Sequence, residues 1–205
     1  MIAFSLAAED LEAAARPPAQ QADWDARYGG EQLWSGNPNG SLVAEVEGSA
    51  PGRALDVGAG EGGDALWLAA RGWAVTASDV SPRALARVGA AAEQRGVRVE
   101  LLLADANARD AFPPGAYDLV TLAYAAIPRT PDDRAVRALL DAAMHEHGPS
   151  AAFDPDAYVR VEDVAAALAA TPGWQVEVHE TRPRPPGAAS GHHVDDVVLR
   201  ARRSG

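Results

Sequence analysis

The stretch RALDVGAGEGGDALWLAARGWAVTASDV, residues Arg53–Val80, decides the fold. Its first five residues, Arg53–Val57, are a short apolar run that leads into a cluster of glycines, which is typical of a buried strand. Gly63–Arg71 then carries apolar residues at helical spacing and is followed by Gly72, a residue that favours the end of a helix. Trp73–Ser78 is a second apolar run. The order strand, glycine turn, helix, strand predicts a βαβ unit with parallel strands.

The same alternation continues towards the C-terminus. Ser81 is a suitable N-cap for a helix that has Pro82 in its first position and stops before Gly96. Further strands are predicted at Val97–Leu103, Tyr117–Ala123, Trp174–Glu180 and Val194–Arg200, and helices at Arg134–Met144 and Val161–Ala170. This alternation predicts an α/β fold with a Rossmann-like, doubly wound parallel sheet. We expect a single domain over residues 1–205, with an N-terminal helical segment (1–50) and an α/β core (51–205).

Composition excludes several classes of function. The 205 residues include 29 acidic and 18 basic side chains, which gives a net charge of −11 and disfavours binding to nucleic acid or to an anionic membrane surface. The absence of cysteine excludes disulfides, thiolate metal sites and a thiol nucleophile. All basic residues are arginine, a bias typical of a GC-rich genome, which we interpret as bacterial. The N-terminus lacks the basic start of a signal peptide, so we expect a cytoplasmic protein.

The glycine turn and the acid that follows the second strand indicate a nucleoside-containing ligand. Gly58, Gly60 and Gly63 fit the pattern G-x-G-x-x-G, although an ordinary tight turn would look the same. Asp79 stands where a carboxylate can bind both ribose hydroxyls. This position suits NAD and S-adenosylmethionine equally well, and the alternative is a turn acid ahead of Ser81.

Two further acids distinguish the two cofactors. Asp56, just before the glycines, suits a cationic, amino-acid-bearing ligand and would repel a pyrophosphate. Asp105 follows the third strand, where its carboxylate can accept a hydrogen bond from an adenine amino group. A solvated loop acid is the alternative at that position. Together the two acids favour S-adenosylmethionine over NAD.

These motifs, in this order over about Arg53–Pro128, resemble the core of class I S-adenosylmethionine-dependent methyltransferases. The resemblance implies that the methionine part, the ribose and the adenine are each bound by a separate group of residues. Those groups are Gly58, Gly60 and Gly62 for the methionine part, Asp79 for the ribose, and Asp105 with Ala106 for the adenine. We assign three more residues to the cofactor site: Asp56, Val80 and Ala123.

The segment before the first core strand is rich in aromatic residues. Its pattern W-D-x-R-Y…W-x-x-x-P-N is similar to small-molecule methyltransferases of the tellurite-resistance and thiopurine type, in which this segment closes over the cofactor. The resemblance implies a lid that lines the acceptor pocket, with residues Trp24, Arg27, Tyr28 and Trp34, and with Tyr124 facing it from beyond the fourth strand. Simple packing of these aromatics on the sheet is the alternative.

The residues near the expected acceptor position, Ala123–Ala125, are small or apolar and lack the Asn-Pro-Pro-Tyr type of motif that marks methylation of amides and adenines. We therefore expect a small-molecule acceptor, methylated at a heteroatom. His145 and His147 are the candidates for a general base, with a solvated loop as the alternative. A metal site at these two histidines is disfavoured because a loop gives them no fixed geometry.

The sequence departs from the class I pattern after the helix at Arg134–Met144. The usual fifth parallel strand is missing or shortened, since no apolar run lies between Leu140 and Trp174. Three alternatives remain: a sheet of six strands, a short strand from Ala142–His147, or a strand from a second copy in a homodimer. The loss also keeps open a protein that binds S-adenosylmethionine without transferase activity, and an NAD-binding oxidoreductase is the more distant alternative.

Overall fold

The computed structural model describes residues 4–5, 21–125, 127–128, 130, 132, 134–142, 159, 161–183 and 195–203. The helices are α1 (Gln21–Arg27), α2 (Gly40–Val46), α3 (Gly63–Ala69), α4 (Pro82–Arg95), α5 (Arg134–Ala142) and α6 (Val161–Ala170). The strands are β1 (Phe4–Ser5), β2 (Arg53–Val57), β3 (Ala74–Asp79), β4 (Val99–Leu103), β5 (Leu119–Ala123), β6 (Trp174–Pro183) and β7 (Asp195–Arg203). Each strand and helix predicted from the sequence is present, with its ends shifted by three residues at most.

The main sheet is parallel and has the order β1-β5-β2-β3-β4. Its central strand β2 is buried at four of five positions, as expected where helices cover both faces. Leu55 and Val57 face a core shared with α5, α6 and β7, whereas Ala54 faces a second core shared with α2, α3 and α4. The doubly wound α/β prediction is therefore confirmed. β6 and β7 form a separate antiparallel hairpin.

Helix α4 shows how local sequence sets the direction of an element. Its N-cap Ser81 accepts a hydrogen bond from the backbone N–H of Ala84, Pro82 occupies the first turn, and Gly96 ends the helix in the left-handed conformation at φ 65°. The helix begins directly after β3, so the C-terminal end of that strand, at Asp79, lies beside the first turn of α4.

The fifth strand that class I enzymes carry would lie between α5 and α6, where residues 143–158, and with them most of the alternative strand Ala142–His147, lie outside the described part of the chain. Among the described residues between β5 and β6, none forms a strand, and a single hydrogen bond joins the N–H of Val159 to the carbonyl of Ile127. β1 instead pairs in parallel with β5, with Phe4 opposite Leu122 and Ser5 opposite Ala123. β1 also lies within 8 Å of β7 between Cα atoms. The edge of β5 is therefore covered by an earlier segment of the same chain, which none of the three alternatives included.

If β1 holds this edge, blocking its backbone donors will loosen the sheet. We expect the double variant Phe4→Pro/Ser5→Pro to lower the free energy of unfolding by about 1–2 kcal/mol, because proline removes two N–H groups. Urea unfolding measures this change. The control Phe4→Ile/Ser5→Thr keeps both N–H groups and suits a strand, and a loss of stability in the control equal to that of the proline variant would contradict the role of the backbone.

A buried ion cluster ties helix α2 to the hairpin. The Glu45 side chain is 6% exposed and binds Arg182 Nη1 at 2.7 Å and Arg200 Nη1 at 3.0 Å. Because Arg182 lies on β6 and Arg200 on β7, this single carboxylate joins the N-terminal segment to the end of the fold.

We expect Glu45→Ala to lower the free energy of unfolding by about 1–3 kcal/mol, since Arg182 and Arg200, which are half-buried, each lose one of two carboxylate partners and keep Glu180 and Glu177. The matched control is Glu47→Ala, at an exposed position two residues along, which we expect to change stability by about 0.5 kcal/mol or less. Chemical unfolding of both variants gives the comparison, and equal losses would contradict the role of the cluster.

None of the helices in the described ranges combines the length and the apolar character that crossing a membrane requires.

Candidate cofactor and acceptor site

A cavity lies at the C-terminal ends of β2, β3, β4 and β5, which is where open α/β sheets bind ligands. Helix α1 and the loop that follows this helix cover the cavity. The predicted cofactor residues that line the cavity are Asp56, Gly58, Gly60, Asp79, Val80, Asp105, Ala106 and Ala123. The predicted lid and pocket residues that line it are Trp24, Tyr28, Trp34 and Tyr124. Gly62 and Arg27 are not part of the lining.

The glycine turn has two different physical requirements. Gly60 adopts φ 54°, and a Cβ atom there would lie 3.0 Å from the Tyr28 hydroxyl, so the absence of a side chain lets the lid approach the turn. Gly62 adopts φ 85° at the start of α3, and a Cβ atom there would lie 3.0 Å from both methyl carbons of Val88. Gly62 therefore lets α3 pack against α4, which explains why it does not reach the cavity.

Asp79 connects the two turns that border the cavity. Its Oδ2 accepts a hydrogen bond from Gly60 N at 2.9 Å, and its Oδ1 accepts one from Ser81 N at 2.8 Å. Burial raises the pKa of this carboxyl, and these hydrogen bonds oppose the rise. Asp79 therefore does act as a turn acid, which was the alternative to ribose binding in the sequence analysis. Each carboxylate oxygen has a second acceptor position, so the same group is able to bind hydroxyls of a ligand.

Asp56 is the least satisfied polar group in the cavity wall. It is 2% exposed, and its Oδ2 has no hydrogen-bond partner among the described residues. Burial, together with the nearby carboxyls of Asp64 and Asp79, raises its pKa well above the ordinary value. A buried carboxylate oxygen without a partner is costly unless a ligand supplies a donor, and a cationic donor also offsets the like charges around it.

Two further acids in the cavity wall were not predicted from the sequence. Asp64, in the first turn of α3, accepts a hydrogen bond from Asn39 N at 2.5 Å, and burial raises its pKa to about 6. Glu61, in the glycine turn, accepts hydrogen bonds from the backbone N–H groups of Leu33 and Trp34. Their partners are backbone groups 25 to 28 residues away. The only signal in the sequence is that two acids interrupt an otherwise small and apolar turn.

The lid places aromatic groups over the glycine turn. The Tyr28 hydroxyl accepts a hydrogen bond from Trp34 Nε1 at 3.2 Å, and burial raises the pKa of Tyr28 to about 12, which keeps the phenol protonated. Trp24 stacks on Tyr28 with 6.2 Å between ring centroids. The Arg27 guanidinium lies 5.5 Å from the centroid of the Trp24 ring, because a cation is attracted to an aromatic face.

The opposite wall is formed by the ends of β4 and β5. Tyr124, directly after β5, has φ 55°, a left-handed conformation that bulky residues seldom adopt and that is frequent at functional sites. Asp105 Oδ1 accepts a hydrogen bond from Asn107 N at 2.8 Å, and Asn107 Nδ2 donates to the carbonyl of Pro128 at 2.8 Å. These contacts hold the loop after β4 against the segment after β5.

The candidate bases His145 and His147 lie outside the described residues. His179 is on β6, is exposed and is not part of the cavity wall. In the part of the chain that the structure describes, no group of three or more His, Asp or Glu side chains is arranged to bind a metal ion.

Comparison with known proteins agrees with this geometry. Residues 54–146 match the family described as methyltransferase domain. A demethylmenaquinone methyltransferase of Thermus thermophilus is 46% identical over 77 residues, which are 37% of this chain and 34% of that enzyme. The chain thus matches about a third of the length of this curated relative.

Two solved structures share the fold over nearly the whole chain. One, from work on the conversion of a disulfide bond into a thioacetal group during echinomycin biosynthesis, is 25% identical with a TM-score of 0.67 and covers 90% of this chain and 92% of its own. The other is magnesium protoporphyrin IX methyltransferase from Synechocystis PCC 6803 with bound S-adenosylmethionine. It is 22% identical with a TM-score of 0.57, and the match covers 90% of this chain and 79% of that enzyme.

Proposed function

We propose that this chain, whose residues 54–146 match the methyltransferase domain family and which shares the fold of a methyltransferase with bound S-adenosylmethionine, is a class I S-adenosylmethionine-dependent methyltransferase that methylates a small molecule at a heteroatom. S-adenosylmethionine is the cofactor of this domain and fold. The observation that carries the proposal is the buried Asp56 carboxyl group, which lines the same cavity as the glycine turn and Asp79 and has one oxygen without a hydrogen-bond partner among the described residues. A ligand with an ammonium group satisfies that oxygen.

The described residues fit the three parts of the cofactor. Asp56 would accept hydrogen bonds from the ammonium group, and Gly58 and Gly60 leave room for the methionine part along the backbone. Asp79 and Val80 would hold the ribose, with Asp79 using the acceptor positions that Gly60 and Ser81 leave open. Asp105 and Ala106 would bind the adenine at the end of β4, where the Asn107–Pro128 hydrogen bond fixes the loop.

When bound, the cofactor supplies a methyl group on a positively charged sulfur, which is already activated for in-line displacement. The tasks of the protein are then to orient the acceptor and to exclude water. Trp24, Tyr28 and Trp34 cover one side of the cavity, and Ala123 and Tyr124 border the other. The protonated Tyr28 phenol still has its own hydrogen to donate, since its oxygen accepts from Trp34 Nε1.

Small-molecule acceptors are supported by the covered cavity, by the net charge of −11 and by the names of the structural neighbours. A nucleic-acid acceptor would require a basic face. A general base, for which His145 and His147 remain the candidates, is needed only if the acceptor atom carries a proton at neutral pH.

The test is transfer of labelled methyl groups from S-adenosylmethionine to a panel of small amines, phenols, thiols and heterocycles. We expect a labelled product from at least one class and no label in RNA, DNA or protein. Calorimetric binding of the cofactor without transfer to any acceptor would favour a binding protein instead. Binding of NADH in place of S-adenosylmethionine would overturn the proposal.

A further inference from the structure

We infer that Glu61 and Arg87 form a latch that positions Tyr28 and Trp34 over the cofactor site. The term latch here means these two side chains and their contacts to the lid loop, residues 28–34. The inference rests on the proposed function for its effect on cofactor binding, whereas the contacts themselves stand independently of it.

Glu61 holds the amide side of the lid loop. Its side chain is 5% exposed, and its oxygens accept hydrogen bonds from Leu33 N at 3.1 Å and from Trp34 N at 2.8 Å. A buried carboxylate that accepts backbone N–H groups needs a positive partner to offset its loss of hydration. Arg87, on α4, supplies that partner through an ion pair between its Nη1 and Glu61 Oε1.

Arg87 also holds the carbonyl side of the same loop. Its Nη2 donates to the carbonyl of Tyr28 at 2.8 Å and to that of Gly30, and its Nη1 donates to the carbonyl of Glu31 at 3.0 Å. The planar guanidinium presents five N–H donors in a fixed fork, which suits such a set of acceptors. Within the described part of the chain, the hydrogen bonds between the backbone of residues 28–34 and the α/β core all end on Glu61 or Arg87.

The latch joins the lid directly to the cofactor turn. Glu61 stands between Gly60 and Gly62, and the Tyr28 hydroxyl lies over Gly60. The start of the lid has a separate anchor, because Asp25 accepts hydrogen bonds from Ser81 Oγ at 2.8 Å and Arg83 N at 3.1 Å. Loss of the latch therefore releases the loop with its aromatic groups while α1 stays attached. Glu61 and Arg87 are thus positioning residues, which act through Tyr28 and Trp34.

The experiment compares Glu61→Gln and Arg87→Gln with the wild-type full chain, and uses Glu93→Gln, at an exposed position of α4, as the control. Amide hydrogen exchange at Leu33 and Trp34 measures the lid, calorimetric titration with S-adenosylhomocysteine measures the site, and thermal unfolding measures the fold. We expect exchange at these two amides to rise about tenfold or more in both variants, while amides of β2 are unchanged. We expect the Kd to rise about tenfold or more, with unchanged values for the control.

Unchanged exchange at Leu33 and Trp34 in both variants would overturn the latch, and so would faster exchange with an unchanged Kd. A lower melting temperature without these two effects would indicate a purely structural ion pair and would likewise overturn it. If wild-type protein does not bind S-adenosylhomocysteine, the proposed function fails, but the exchange data still decide whether the latch exists. If Glu61→Gln does not fold, Arg87→Gln gives the same comparison.

Discussion

The variant Asp56→Asn is expected to bind S-adenosylmethionine more weakly by about 2–4 kcal/mol, roughly a 30- to 1,000-fold rise in Kd. The physical reason is the loss of the carboxylate that we assign to the ammonium group, in a buried wall where charge–charge attraction is strong. The same variant is expected to be more stable than wild type by about 0.5–2 kcal/mol, because it removes a buried carboxylate that has an unpartnered oxygen and like charges nearby. Calorimetric titration and urea unfolding measure the two effects.

A substitution that weakens cofactor binding and at the same time stabilises the fold identifies an acid that serves the ligand, whereas replacing a structural acid lowers stability. An exposed acid of α1, Asp23, provides the control as Asp23→Asn, and we expect neither quantity to change there. If Asp56→Asn lowers stability and leaves the affinity unchanged, Asp56 is part of the fold only, and its assignment to the cofactor site is wrong.

The pH dependence of stability gives an independent check on Asp56. Burial raises the pKa of Asp56 and raises that of Asp64 to about 6, from an ordinary value of 3.8. Above about pH 4 the native state then binds more protons than the unfolded state, so the stability contributed by these carboxyls is lost as the pH rises, in the case of Asp64 through about pH 6. We expect Asp56→Asn to flatten this part of the stability curve of the ligand-free protein.

The variant Asp79→Ala is expected to weaken cofactor binding by about 1–3 kcal/mol, roughly a 5- to 150-fold rise in Kd, as for a lost charge-assisted hydrogen bond. In contrast to Asp56→Asn, it is expected to lower the free energy of unfolding, because Gly60 N and Ser81 N both lose their acceptor. Titration and urea unfolding again give the two values. Affinity equal to that of the wild type would contradict the ribose assignment.

Sequence patterns predicted the elements whose signals are local. The N-cap Ser81, Pro82 and the terminal Gly96 defined α4 to the residue, and the apolar spacing of Val161–Ala170 defined α6. The carboxyl ends of parallel strands meet at one edge of the sheet, so the placement of Asp56, Asp79 and Asp105 around one cavity also followed from the order of the elements.

The features that sequence reasoning missed depend on contacts between distant residues. β1 has two residues and no periodic pattern, and its pairing with Leu122 and Ala123 spans more than half of the chain. Glu61 accepts hydrogen bonds from backbone amides of the lid loop and Asp64 from the amide of Asn39, and no side-chain pattern reveals such contacts. The left-handed backbone of Tyr124 was equally unpredictable, since a bulky residue takes this conformation only where the surrounding structure imposes it.

The most direct test of cofactor binding in this cavity is a calorimetric titration of the 205-residue protein with S-adenosylmethionine, beside the Asp56→Asn variant. We expect one molecule to bind per chain of the wild type, and we expect the Kd of the variant to be higher by roughly 30-fold or more, which corresponds to about 2 kcal/mol or more. No binding of S-adenosylmethionine by the wild type, or equal affinity in the two proteins, would contradict the claim that this cavity holds the cofactor through Asp56.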